Sequence, residues 1–152
     1  MSQTFKVFAV VFLIFMITAC ENSFKVIPAE MEIPENPISE CPDSPNCIRT
    51  TQVFEEDSIS VFNAFKNSIS KENPFELETK RDEENLSISA VYKIPVFGWL
   101  DDAELIFESD KENKNLTFVH LKSSSREGYY DLGVNKRRIN RILKKARKEL
   151  NL

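Results

Sequence analysis

Three stretches of this 152-residue sequence combine residue types and spacings that suit chemistry. Cys41 and Cys47 bound the loop CPDSPNC, stiffened by Pro42 and Pro45, a spacing that suits a disulfide, a metal site or a redox pair. Asp101 and Asp102 offer adjacent carboxylates of the kind that serve acid–base or metal chemistry. SSSREGYYDLGVN at 123–135 gathers hydroxyls, Arg126, Tyr129, Asp131 and two glycines ahead of a helical pattern. A helix start presents unpaired N–H groups and the positive end of its dipole, so this third stretch predicts an anion site. Ser123, Ser125, Arg126, Tyr129, Asp131 and Asn135, with Asp102, are the candidate ligand-binding residues; the favoured reading of the same residues is structural, with Arg126 paired with Asp131 or Asp102 and Asn135 merely capping the helix. The sole histidine, His120, reads as a strand residue, and no G-x-S-x-G elbow occurs, so no catalytic set is expected. A small hydrolase using Ser125, Asp102 and Arg126 is the alternative, and it requires all three to converge. Alternation along a strand argues against catalysis by Asp101 and Asp102 together, because adjacent residues point to opposite faces.

The compartment bears on the cysteines. VFAVVFLIFMITA at 7–19 is too short to span a bilayer and suits the apolar core of a secretory signal peptide. It runs into Ile17-Thr18-Ala19-Cys20, which resembles a bacterial lipobox, so residues 1–19 are expected to be removed and Cys20 to carry palmitate-type acyl chains. Several acyl chains make a stable membrane anchor. Glu21 stands where an aspartate would resemble an inner-membrane retention signal, which favours the periplasmic side of an outer membrane. Losing residues 1–19 leaves 19 basic against 24 acidic side chains, a net charge of −5. Residues 20–40, punctuated by Pro28, Pro34 and Pro37, read as the lipidated cysteine and an extended tether. Export favours a Cys41–Cys47 disulfide; free thiols remain open, and a metal or redox site less so, since zinc would need two further ligands.

The remaining residues, 41–152, make one domain by length. Ile59, Phe62, Phe65 and Ile69 repeat at helical spacing behind a Ser58 or Asp57 cap, and Pro74 ends that helix. Stretches near 75–79, 86–90, 104–108 and 116–121 mostly alternate apolar with polar and predict four strands in a meander. Ile139, Ile142, Leu143, Ala146 and Leu150 share one side of a long C-terminal helix for which Asn135 is the expected cap. The expected fold is α+β, an antiparallel sheet of about four strands with both helices on one face. The last helix is strongly basic, which in an exported protein excludes nucleic acid and leaves a solvated face or a surface for anionic headgroups or an acidic envelope partner.

CPDSPNC, Asp101-Asp102 and SSSREGYYDLGVNKRR together resemble the family known as domain of unknown function 1499, over about residues 41–141. The resemblance implies no activity. Lys122 stands where that family usually has arginine, Glu127 where it has an aliphatic residue, and Arg49-Thr50 where it has two small hydroxyl residues. The function expected is therefore that of a binding or accessory module at the cell envelope, or of a purely structural envelope protein, with no cofactor.

Overall fold

A computed structural model of the chain describes residues 32–82, 86–95 and 97–152. The expected signal peptide and the expected lipidation at Cys20 fall on residues outside those described. The element order is β1 (Cys47–Phe54), α1 (Ser58–Ser70), β2 (Glu76–Arg81), β3 (Leu86–Lys93), β4 (Leu100–Ser109), β5 (Thr117–Ser125) and α2 (Val134–Glu149). The strands form one antiparallel sheet in the order β1-β5-β4-β3-β2. The meander β2 to β5 is as expected, but the sheet has five strands and not four. The extra strand, β1, pairs Cys47 to Phe54 along the whole of β5.

Side-chain alternation gives the sheet one face for the helices. Ile88, Ala90, Ala103, Leu105, Phe107 and Leu121 point to that face and are buried. α1 meets them with Val61, Phe62, Ala64, Phe65 and Ile69, which recur at helical spacing. Phe54, Phe62, Phe65 and Phe107 interlock edge to face at centroid distances of 5.3–5.5 Å. Burying each such side chain contributes about 1.5–3 kcal/mol. Asp57 caps α1 by accepting from the N–H groups of Ile59 and Ser60, both at 3.0 Å. α2 seats Ile139, Ile142 and Ala146 against the sheet.

Residues 33–40 differ from the expected free tether. Ile38 is buried, and the Asn36 side chain donates to the Thr50 carbonyl at 3.1 Å. Arg49 donates to the carbonyls of Ile38 and Asn36 at 2.8 and 2.6 Å, while the Lys122 ammonium reaches Ser39 and Glu40 at 2.8 and 3.1 Å. Prolines rule out helix but not packing, and this short extended piece is held by side chains from the sheet face that the helices leave open. The folded unit accordingly runs from Ile33 to Leu152. No helix among the described residues is long and apolar enough to cross a membrane.

Candidate functional site

The loop from β5 to α2 gathers most of the expected residues around one buried ion pair. β5 places Ser123 and Ser125 on the helix-covered face, and β4 places Asp101 there beside them. The Arg138 guanidinium donates to Asp101 Oδ2 at 2.6 Å, with both side chains almost wholly buried. It also lies 4.3 Å over the Tyr92 ring. Ser125 Oγ donates to the other Asp101 oxygen at 2.6 Å. Asn135 accepts at Oδ1 from Ser123 Oγ and Arg138 Nη1, both at 2.6 Å. Its amide nitrogen is within hydrogen-bond distance of Asp131 Oδ2, Ser125 Oγ and the Asn46 carbonyl, at 2.9–3.1 Å. Asp101, Ser123, Ser125, Asn135 and Arg138 thus all have partners, which keeps such a network from being destabilising, while the neighbouring Tyr92 hydroxyl is buried without one.

Asn135 is not the helix cap. Gly133 takes the cap position with φ 73°, a left-handed conformation that suits glycine, and offers no side chain. The capping group is Asp131, whose carboxylate accepts from the N–H groups of Gly133 and Asn135, each at 2.8 Å. The anion that a helix start favours is therefore supplied by the chain, and the helix N-terminus gives no ground of its own for an external anion among residues 123–135.

Asp102 and Arg126 meet on the open face in a two-pronged pair at 2.8–3.1 Å, both about half exposed. Asp102's carboxylate strengthens the hold of the Arg126 guanidinium on its proton. Ser125 is on the other side of the sheet, so Ser125, Asp102 and Arg126 do not converge. His120 is buried on the open-face side, with Nδ1 2.9 Å from Thr51 Oγ1 and Nε2 3.4 Å from Glu108; burial pushes its imidazole down in pKa. CPDSPNC is closed by the Cys41–Cys47 disulfide. Within it Asn46 donates to the Gly128 carbonyl, and its own carbonyl accepts from the Ser125 N–H at 3.1 Å, so this loop props the β5–α2 loop. Among the described residues no group of three or more histidine, cysteine or acidic side chains is arranged to hold a metal ion.

Sequence reasoning missed the aromatic half of this end. The β3–β4 turn closes through Ile94 N–H to Trp99 C=O and Gly98 N–H to Ile94 C=O, both at 2.8 Å, with Gly98 at φ 72°. It presents Phe97 and Trp99 stacked at 4.6 Å and 22°. Across a cleft of about 110 Å³ stand Tyr130 and Leu132, and Asp101, Ser125 and Asp131 also line it. Phe97, Trp99, Tyr130 and Leu132 are all strongly exposed, and Leu132 holds φ 56°, a conformation that is uncommon for a non-glycine residue. Tyr129 is exposed too but does not line the cleft. The available signal was the apolar cluster PVFGWL around a glycine, an unusual content for a turn.

A family model described as a protein of unknown function, DUF1499, matches residues 37–145. No curated protein matches the chain. Two solved structures show weak likeness: Chromobacterium violaceum protein CV1439, with 9% identity, TM-score 0.40 and coverage of 67% of this chain and 95% of that one, and Thermus thermophilus protein TTHA0849, with 13% identity, TM-score 0.37 and coverage of 68% and 96%.

Proposed function

The chain belongs to the DUF1499 family, whose description assigns no activity, and from the chain's own geometry we propose a binding module, exported and lipid-anchored through Cys20, that works at the cell envelope through its loop end. The lipobox-like sequence and the apolar run before it support export and anchoring, with the periplasmic side of an outer membrane favoured. One observation carries the binding assignment: two loops hold four large apolar side chains in solvent on either side of a cleft whose lining includes carboxylates. Exposed apolar clusters rimmed by polar groups mark interaction sites.

Geometry also selects the ligand's character. Glu127 and Asp131 line the cleft with Asp101, whose charge Arg138 already balances, and no cationic side chain among the described residues lines it, so an anion would find no partner there. A ligand with an apolar face for Trp99 and Tyr130 and with a donor for the exposed Glu127 carboxylate fits. The cleft is below the ~300–1,000 Å³ of pockets that swallow a whole small molecule, which favours capture of one end-group or ring edge. A hydrolase gains no support, because its three residues lie on two sides of the sheet.

Trp99 is the only tryptophan, so its fluorescence reports on the cleft directly. The full chain is titrated with panels of neutral sugars, amines and organic anions. The expected result is a saturable Trp99 change for a donor-bearing ligand, weakened about tenfold or more by Tyr130→Ala, with circular dichroism unchanged. Silence across all panels, or binding indifferent to Tyr130→Ala, would favour a purely structural envelope protein.

A further inference from the structure

A second concavity lies on the helix-covered face, away from the loop end. β1 is the sheet's edge strand, and α2 leaves it partly uncovered. Between them runs a groove of about 980 Å³. Ile48, Ile139 and Leu143 give it an apolar floor; Ile48 and Leu143 are only partly buried, and Leu152 at its end is more than half exposed.

Its rim is cationic in a specific way. On the side of α2 that faces α1, the basic groups have an acidic partner, Arg141 and Lys145 sharing Glu72. Arg138 is matched by Asp101. Toward the groove, Lys144 and Lys148 have no ion pair among the described residues, and Arg147 meets only neutral partners, donating to the Gln52 side chain at 3.1 Å and lying 5.5 Å over the Phe54 ring. No acidic residue lines the groove, although the whole chain carries a net charge of −4. The acids are elsewhere, so the rim is not a by-product of composition.

Apolar floor and unpaired cations together specify an occupant with both characters. We infer that the groove between β1 and α2 binds a single-chain anionic amphiphile of the long-chain fatty acid class, its alkyl chain along Ile48, Ile139 and Leu143 and its carboxylate between Lys144 and Lys148. Lysine stems extend the apolar surface while their ammonium groups stay at its edge, which suits a carboxylate there. The groove's volume is at the upper end of small-molecule pockets, enough for one chain. No aromatic ring lines it for base stacking, which sets it apart from a single-stranded nucleic-acid groove.

The test photolabels the full chain in phosphatidylcholine vesicles with diazirine-bearing hexadecanoic acid and maps the adducts by peptide mass spectrometry. Adducts are expected on 48–52 and 139–152. Labelling should fall about tenfold in Lys144→Glu/Lys148→Glu, whose changes are on the solvent side and spare the core, and the matching fatty alcohol should label weakly. Leu143→Trp, which fills the floor, should also block it. Adducts elsewhere, equal labelling by the alcohol, or indifference to the charge reversal would each overturn the inference. Preferential labelling by a diazirine-bearing diacyl phosphatidylglycerol would overturn the single-chain assignment.

Discussion

Asp101 and Arg138 show how much one residue's position decides. The two oxygens of Asp101 serve Ser125 and Arg138, and Arg138 in turn holds Asn135. Removing one partner of a buried pair leaves a charge without compensation. Arg138→Met is therefore expected to cost about 3–5 kcal/mol in urea unfolding, and adding Asp101→Asn should recover part of the loss. Arg126→Ala removes an equally well-formed pair that water already screens, and it should leave the unfolding midpoint nearly unchanged. The opposite facing of Asp101 and Asp102 was legible because strand alternation needs no tertiary knowledge, whereas the choice of Asp102 over Asp131 as partner for Arg126 needed the β4–β5 register. Arg138 looked like one more solvent-facing base. It falls in step with Asn135, Ile139, Ile142 and Ala146, the stripe that turns inward, yet a charge at such a position reads as polar until its partner is known.

At the scale of elements, α2 begins where Asp131 lets it begin. Asp131→Ala removes acceptors from two N–H groups and frees Asn135 to shift, with an expected cost of about 1–2 kcal/mol in the same assay and a change in Trp99 emission from the neighbouring cleft. A capping aspartate before glycine is hard to read from sequence because the glycine's left-handed turn, and not the spacing alone, brings the carboxylate back to the helix start. β1 was missed for a different reason. Its run Arg49-Thr50-Thr51-Gln52 lacks alternation because each side is half-covered: residues 36–40 lie on one side and the open groove on the other. Where both faces are intermediate, period two disappears. α1, α2, β3 and β4 each have a wet and a dry side, and the sequence pattern follows that contrast, whereas β2 is exposed along almost its whole length and β5 is buried on both faces over Thr117–Leu121.

For the molecule as a whole, acid should weaken the fold in two stages. Burial holds the His120 imidazole below its ordinary value of about 6.5, so on acidification the unfolded chain takes up a proton before the folded one does. Stability is full above that value and falls as pH drops below it, until the folded imidazole also protonates. Glu72 adds a later stage: burial alone would raise its carboxyl, but the bonds from Lys145 and Arg141 outweigh that and keep it low. Its contribution is present above the ordinary glutamate value of 4.5 and is lost as pH falls further. Urea midpoints measured against pH should show both stages, and His120→Gln should remove only the first. The disulfide, finally, bears on when and where the protein becomes competent. Asn46, enclosed by Cys41 and Cys47, reaches Gly128, Ser125 and Asn135 through three hydrogen bonds. A newly made chain in a reducing cytosol would lack that cross-link, and the loops that Asn46 joins would be held less firmly. If the protein is exported as proposed, oxidation on arrival tightens them, so maturation and delivery become one event and a copy stranded inside the cell stays blank.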